Sequence, residues 1–377
     1  MTASAVDRRE SFAELAGELE ALFRRSAAAR LGDVEFEALA LRVFAFQFGS
    51  NPTYRGFCGG RKASPETVVR WEDVPAVPAT AFRFVDLICG DPGAAEATYV
   101  SSGTTAGPAS RSRHLVASVS LYRASALAGV RTRLVPEDVP LSVLSLIPSP
   151  AHAPASSLSA MMGFVGEALG APTWWLGHPE RGPDAHGYRE AAAEAATHGR
   201  PALVAGTTFG LVQLLDSLEA GPPPAPLPVG SRLMETGGFK GRSRVVEREA
   251  LHARLEARLG IRRDRIVSEY GMTELLSQLW EPVLREGPRA RGRHVPPPWL
   301  RVRALDPVSL APLAPGEPGV LAFFDLANVG SVSHVLTEDV GSVSPDGVRL
   351  EGRAPGAEPR GCSLALEELL SARGGGT

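Results

Sequence analysis

The sequence is very poor in lysine and in cysteine. Lys62 and Lys240 are its two lysines, against 37 arginines. Its three cysteines, Cys58, Cys89 and Cys362, include no Cys-x-x-Cys pair. An odd and sparse set of this kind argues against a disulfide framework and indicates reduced thiols in the cytoplasm. The eight histidines show no His-Glu-x-x-His spacing, which argues against a structural zinc site.

Long apolar runs and a strong charge of either sign are also missing. No stretch approaches the roughly 18 apolar residues of a membrane span, and the N-terminus lacks the apolar core of a signal peptide. We therefore expect a cytoplasmic protein without a membrane span. The net charge of −3 gives no broad attraction to nucleic acid, so no nucleic-acid partner is expected. With 377 residues, 44% of them hydrophobic, the chain can bury a sizeable core.

A hydroxyl- and glycine-rich segment is the most informative feature that is present. Residues 99–108 read Tyr-Val-Ser-Ser-Gly-Thr-Thr-Ala-Gly-Pro. Glycines permit backbone angles at which several N–H groups point at one anion, and the hydroxyls add donors. The segment therefore suits a loop that wraps a polyphosphate, although a solvated surface loop is the ordinary alternative. Arg111, Arg113 and His114 follow closely enough to help hold phosphate, or form an exposed basic turn.

A second motif, residues 269–274, reads Glu-Tyr-Gly-Met-Thr-Glu after a short apolar pair. A turn at this point could present the Tyr270 ring, the Thr273 hydroxyl and the Glu274 carboxylate to one cleft. A tyrosine ring can stack on a purine, and a glutamate can hold Mg²⁺ that bridges phosphates. In the alternative, Thr273 caps a helix that begins at Leu275.

Apolar periodicity predicts alternating helices and strands. Two packed helices end near Gly49, and further helices cover 157–165, 209–218 and 242–259, the last closed by Gly260. Strands are predicted at 142–147, 202–206 and 320–324. This alternation indicates an α/β fold with mostly parallel sheets covered by helices, whose ligands lie at the carboxyl ends of the strands. Met161, Met162 and Phe164 could line an acyl pocket, but apolar helix faces are more often core.

The two motifs, in this order, resemble those of the adenylate-forming superfamily of acyl- and aryl-CoA ligases. A third element fits: residues 336–341, an Asp-Gly turn at 346–347 and Gly352-Arg353 resemble its ribose-binding aspartate, β-hairpin and hinge. The resemblance implies ATP and Mg²⁺ as cofactors, with Asp339 on the ribose. It also implies that Gly237 and Gly238 contact adenine. Glu338 departs from the pattern, because the family usually has glycine there.

Within the superfamily the chain is most similar to the acyl-protein synthetase branch, the ligase component of the bacterial luminescence fatty-acid reductase. Residues 77–83, 235–241 and 360–364 carry this likeness. In that branch an acyl group moves from the adenylate to a cysteine near the C-terminus, and Cys362 stands where that cysteine would stand. The resemblance thus implies that the substrate is a carboxylic acid, and it favours a fatty acid. An acyl-accepting reductase or carrier protein would be the partner.

The resemblance also predicts the domain organisation. Residues 1–352 would form the large adenylate-forming domain, with a helical part at 1–50, and residues 353–377 a truncated C-terminal segment that carries Cys362. The superfamily places a catalytic lysine on a C-terminal domain of about a hundred residues. Here 24 residues follow Arg353 and none is lysine, so we expect that domain to be reduced to a stub.

The predicted site residues fall into two groups. The catalytic group is Cys362, Glu274, Thr273 and Lys240, with Glu274 as the metal ligand. The ATP-binding group comprises Ser101, Ser102, Gly103, Thr104, Thr105, Gly107, Gly237, Gly238, Tyr270, Asp339 and Arg353. Lys240 could equally be a solvated surface lysine, and Cys362 a half-buried helix residue.

Two other functions remain open from the sequence. One is a stand-alone ligase that makes acyl-CoA or an acyl-carrier thioester without using Cys362. The other is an inactive nucleotide-binding scaffold, which the absent C-terminal lysine favours and the intact phosphate and metal motifs disfavour.

Overall fold

A seven-stranded sheet occupies the middle of the chain in the computed structural model, which describes residues 5–25, 31–102, 111–137, 139–170, 172–237, 247–353 and 360–374. Its spatial order is β10 (Leu279–Trp280), β9 (Ile266–Tyr270), β8 (Arg232–Thr236), β7 (Ala202–Thr207), β4 (Ser142–Pro148), β5 (Thr173–His178) and β6 (Gly182–Pro183). The five interior strands are parallel, and the two edge strands are antiparallel to their neighbours. The predicted strands at 142–147 and 202–206 are confirmed.

Both faces of this sheet are covered by helices. In β4, Val143 belongs to one core cluster and the next residue, Leu144, to another, as alternation along a strand requires. One face packs on α6 (Ala185–Thr197), α7 (Thr208–Glu219) and α8 (Arg248–Leu259). The other packs on α4 (Val119–Gly129) and α5 (Ser157–Leu169). The predicted helix at 242–259 begins at Arg248 in the described part, and Gly260 ends it with a φ of +72°.

A second sheet has five strands, four of which come from residues 300–353. It consists of β1 (Val77–Pro78), β13 (His334–Ser344), β12 (Pro318–Asp325) and β11 (Leu300–Leu305), in that order, with β14 (Gly347–Arg353) also paired to β13. The β1–β13 pair is parallel and the others are antiparallel. The predicted hairpin is confirmed: Gly347 makes the turn with a φ of +143°, a region that favours glycine. A small ribbon, β2 (Ala97–Val100) and β3 (Arg113–Val116), flanks residues 101–112.

The remaining helices lie at the two ends of the chain and beside the sheets. They are α1 (Ala5–Arg25), α2 (Asp33–Ser50), α3 (Pro52–Gly60), the short α9 (Val283–Glu286) and α10 (Arg360–Gly374). The predicted helical N-terminus is confirmed. Helix α10 packs on α3 and β1. The exposed ion pair between Arg61 and Glu368, at 2.8 Å, joins it to the end of α3.

Asp325 fastens the two sheets together. This fully buried carboxylate, at the end of β12, accepts hydrogen bonds from the Leu276 amide at 3.0 Å and the Ser277 hydroxyl at 2.7 Å. The Ser277 hydroxyl in turn accepts from the Trp299 indole at 3.0 Å. The segment that follows the second motif is therefore held by β12 rather than by a helix of its own.

Burial raises the pKa of Asp325 to about 6. The folded protein therefore keeps this proton to a higher pH than the unfolded chain, which releases it near pH 4. Stability that depends on the protonated form is present below about pH 4 and is lost as the pH rises through 6. We expect the free energy of unfolding of the wild type, measured with urea, to fall by about 3 kcal/mol relative to that of Asp325→Asn between pH 4 and 7. Parallel pH profiles for the two proteins would contradict this assignment.

Candidate functional site

The carboxyl ends of β7, β8 and β9 meet at one edge of the large sheet. Thr236 pairs with Glu269 in the register of β8 and β9, so Gly237 and Tyr270 follow side by side. Thr208, the first residue of α7, donates its hydroxyl to the Gly237 carbonyl at 2.6 Å. Gly237 has a φ of +69°, which glycine adopts easily. The structure thus brings together two segments that the sequence assigns to adenine. Gly238 and Lys240 lie outside the described residues.

Tyr270 connects this edge to the five-stranded sheet. Its hydroxyl donates to the Asp339 carboxylate at 2.7 Å, and its ring stacks on Phe323 at 5.6 Å between centroids. Burial, followed by the negative charge of Asp339, holds the pKa of Tyr270 well above its usual value, so the hydroxyl stays a donor. Two residues predicted to bind opposite ends of a nucleoside are therefore in direct contact.

Arg353 completes this group from β14. Asp339 and Arg353 are paired in the register of β13 and β14, and the Arg353 Nε donates to the Asp339 Oδ1 at 3.3 Å. A guanidinium nitrogen of Arg353 also lies 3.7 Å from the Glu338 carboxylate. Glu338, which departs from the family pattern, therefore has a charge partner within the hairpin. Both Asp339 oxygens thus accept a hydrogen bond, Oδ1 from the half-exposed Arg353 and Oδ2 from Tyr270.

The structure describes residues 99–102 of the hydroxyl-rich segment and continues from residue 111. The Ser101 amide donates to the Ser112 carbonyl at 3.0 Å, and the Ser112 amide donates to the Ser101 hydroxyl at 3.0 Å. Ser102 is exposed. Gly103, Thr104, Thr105 and Gly107 lie outside the described residues, and their predicted contacts with phosphate stay predictions. Of the basic residues that follow, Arg111 and Arg113 are exposed, and His114 is buried.

The Thr273–Glu274 pair is held through its backbone. The Thr273 carbonyl lies 2.8 Å from His114 Nδ1, and the Glu274 carbonyl accepts from the Asn328 amide at 2.7 Å. Burial lowers the pKa of His114 to about 4, so its ring is neutral at neutral pH. The alternative in which Thr273 caps a helix at Leu275 is wrong, because the chain makes a turn here with its partners on β12 and β3.

The donor set suits a metal that is bound mainly by phosphate. Glu274 is 6% exposed, and its charge contributes to the raised pKa of Tyr270. Within the described residues no group of three or more His, Cys, Asp or Glu side chains could enclose a metal ion. Mg²⁺ at nucleotide sites commonly uses one or two carboxylates together with phosphate oxygens and water. Glu274 fits that role, and a dedicated metal centre does not fit this part of the chain.

Cys362 lies on the far side of the five-stranded sheet from Tyr270. The thiol is 1% exposed, packs with Ala322 and Leu336, and donates to the Thr337 carbonyl at 3.5 Å. Phe323, which follows Ala322, faces Tyr270, and consecutive strand residues point to opposite faces. The alternative interpretation of Cys362 as a half-buried helix residue agrees with its place in α10, but the side chain is almost fully buried.

The other sequence candidates belong to the core. Met161 and Met162 are fully buried in the main cluster, and Phe164 packs against its edge, which favours their interpretation as core. Burial raises the pKa of the Cys58 thiol to about 12 and also raises that of Cys89. A raised pKa disfavours the thiolate of both residues.

The family model described as "Acyl-protein synthetase, LuxE" matches residues 32–371. The chain belongs to the acyl-protein synthetase family. The expected resemblance is thereby confirmed over most of the sequence. Among the described residues, no helix is long and apolar enough to cross a membrane.

Two curated relatives are similar over a shorter stretch. The long-chain-fatty-acid--luciferin-component ligase of Aliivibrio fischeri is 36% identical over 87 residues, and its Vibrio harveyi counterpart is 31% identical over 91 residues. Each match covers 21% of this chain and 23% of the relative. The chain thus matches about a quarter of the length of these relatives.

Solved structures show the fold. A 2-hydroxyisobutyryl-CoA ligase in complex with 2-HIB-AMP and CoA has a TM-score of 0.64 at 16% identity, covering 88% of this chain and 70% of its own. An open conformation of the same enzyme has a TM-score of 0.62, also at 16% identity, covering 88% and 77%. The expected adenylate-forming α/β fold is confirmed.

Sequence reasoning missed three residues that build the site. Asn328 holds the backbone of the second motif at Glu274, Asp325 holds the residues that follow it, and Phe323 supports the Tyr270 ring. All three lie near the end of β12, about 50 residues from the motif that they hold. The sequence predicts a strand at 320–324, but no local pattern there indicates that residues near its end contact the second motif.

The burial of Cys362 can be tested by thiol labelling. We expect Cys362 to react with an aromatic disulfide reagent at least about 100-fold more slowly than in the urea-unfolded chain, because α10 must open first. Leu369→Ala, which removes a fully buried contact of α10, should speed the reaction, and the more exposed Leu370→Ala should not. Mass spectrometry of labelled peptides reads each cysteine separately. Fast labelling of Cys362 in the folded wild type would contradict the buried arrangement.

Proposed function

We propose that this member of the family activates a carboxylic acid, with a fatty acid favoured, at the expense of ATP. The observation that carries the proposal is the contact between Tyr270 and Asp339, beside Gly237 and the Thr273–Glu274 turn. In the proposal, Tyr270 supplies a stacking surface, Asp339 a ribose acceptor and Glu274 a metal ligand. The structural neighbour solved in complex with 2-HIB-AMP and CoA is consistent with this use of the fold.

In the proposed first step, an oxygen of the substrate carboxylate attacks the α-phosphorus of ATP. The bond from that phosphorus to the bridging oxygen breaks, and pyrophosphate leaves, so the product is acyl-AMP. Mg²⁺, held by Glu274, would supply positive charge to the phosphates. The residues themselves orient: Tyr270 packs on the purine, Asp339 accepts from the ribose hydroxyls, and the residues after Ser101 surround the phosphates.

In the proposed second step, the Cys362 sulfur attacks the acyl carbon. A thioester forms, the carbon–oxygen bond to AMP breaks, and the thiol proton passes to solvent. In this structure the Cys362 thiol is buried and donates a hydrogen bond to the Thr337 carbonyl. A buried thiol is a poor nucleophile, so α10 must leave the sheet before the thiolate can form. The acyl group would then pass to a reductase or a carrier-protein thiol.

The burial of Cys362 also favours a second function, that of a stand-alone ligase. If α10 stays docked, Cys362 cannot reach the adenylate, and the protein would be a stand-alone ligase that delivers its acyl group to an external thiol. For either function we place the reaction in the cytoplasm, because none of the three cysteines forms a disulfide.

The role of Glu274 can be tested by ATP–pyrophosphate exchange with a series of carboxylic acids. Glu274→Gln should lower the exchange rate about 100-fold or more, because a charge partner of the metal is lost. Glu351→Gln is the matched control, since Glu351 is an exposed glutamate on β14. Exchange near the wild-type rate in Glu274→Gln would remove this carboxylate from the site.

The role of Cys362 can be tested by intact mass measurement after incubation with acid and ATP. Cys362→Ser should keep exchange but lose the hydroxylamine-labile acyl adduct, because adenylation does not use the thiol. An adduct that persists in Cys362→Ser, or that maps to Cys58 or Cys89, would refute acyl transfer to Cys362. A wild type that makes acyl-AMP without any adduct would establish the stand-alone ligase instead.

A further inference from the structure

The side chains of His114 and Asn328 hydrogen-bond to two consecutive backbone carbonyls in the proposed metal-binding turn. His114 Nδ1 lies 2.8 Å from the Thr273 carbonyl, and Asn328 Nδ2 lies 2.7 Å from the Glu274 carbonyl. His114 is fully buried and Asn328 is 1% exposed. We call this pair the carbonyl clamp. It fixes the peptide units on both sides of the Glu274 α-carbon, and thus limits where its carboxylate can point.

The clamp joins three separate parts of the fold. His114 lies on β3, directly after the segment assigned to phosphate, and Asn328 follows β12 of the five-stranded sheet. The turn at Thr273 follows β9 of the large sheet. The turn that carries Glu274 is therefore held to β3 by His114 and to the Asp339 sheet by Asn328.

The other polar atoms of the clamp point to a bridge between its members. A carbonyl can only accept, so Nδ1 of the neutral His114 ring carries the hydrogen and Nε2 is an acceptor. His114 Nε2 and Asn328 Oδ1 are buried and have no hydrogen-bond partner among the described residues. Both residues border one cavity of about 10 Å³. A water molecule in a cavity of this size can donate one hydrogen to each acceptor.

We propose that His114 and Asn328, bridged by one buried water, are positioning residues for the metal-binding carboxylate of Glu274. This inference rests on the proposed function. Neither residue touches the substrate or metal. Their effect is geometric: a displacement of about 1 Å at a reacting or metal-binding group can cost about 100-fold in rate.

The closing experiment compares two substitutions of His114. In His114→Asn the amide nitrogen takes the place of Nδ1 and can still donate to Thr273, whereas His114→Gln moves the amide to the place of Nε2. We expect His114→Gln to need about tenfold more Mg²⁺ for half-maximal exchange, and His114→Asn to stay within about threefold of wild type. Asn328→Ser, which shortens the side chain away from the Glu274 carbonyl, should resemble His114→Gln.

Calorimetric titration of ATP at several Mg²⁺ concentrations gives a second readout that does not need turnover. In His114→Gln and Asn328→Ser, tight ATP binding should need a higher Mg²⁺ concentration than in the wild type, as we also expect for exchange. A purely structural role would lower the melting temperature and leave both Mg²⁺ responses unchanged at temperatures where the variant is folded, which would overturn the proposal. If His114→Gln does not fold, Asn328→Ser decides the matter by the same comparison.

The two proposals fail in different ways. A wild type that binds ATP with Mg²⁺ but shows no exchange with any acid would refute the proposed function, while the binding titrations would still test the clamp. A high-resolution crystal structure should show a water between His114 Nε2 and Asn328 Oδ1. Direct contact of the two side chains, with no water, would overturn the bridge.

Discussion

The hydrogen bond from the Tyr270 hydroxyl to the Asp339 carboxylate is the interaction on which the site depends. Tyr270 ends β9 of the large sheet, and Asp339 lies on β13 of the smaller one. In the proposed function each sheet supplies half of the nucleoside site, and such a site requires the two sheets to keep one relative position. The bond is 2.7 Å long, and the stacking of Tyr270 on Phe323 prevents the ring from turning away. Asp325 and Asn328 make the same connection deeper in the protein.

Burial away from water sets the protonation states of the side chains that join the two sheets. Burial keeps Tyr270 protonated and His114 neutral, so each side chain has one fixed hydrogen-bonding role at neutral pH. Polar groups placed in such an environment are costly unless each one is bonded, and a bonded network is correspondingly rigid. A rigid junction suits a site that must hold charged phosphates and a metal without reorganising during the reaction. The mobile step of the proposed mechanism is then assigned to α10, outside the junction.

The sequence predicted β4 and β7 of the large sheet because apolar runs are a local signal. The assignment of Gly237 and Tyr270 to adenine came from the family resemblance, and the structure shows that the two residues follow neighbouring strands. The sequence could not predict partners that are far apart. His114 and Thr273 are 159 residues apart, and nothing in either segment signals the other. The local capping pattern at Thr273 was overridden, because Asp325 supplies the backbone of Leu276 with a tertiary partner. For Cys362 the sequence indicated a chemical role, while its packing on β12 depends on a surface that only the folded sheet creates.

The central claim is that one nucleotide spans Tyr270 and Asp339 at the shared edge of the two sheets. A crystal structure of the protein with AMP tests it most directly. The account predicts adenine packed beside Tyr270 and Gly237, with the ribose hydroxyls within hydrogen-bond distance of the Asp339 carboxylate. A nucleotide bound elsewhere, or one whose ribose lies away from Asp339, would contradict the account.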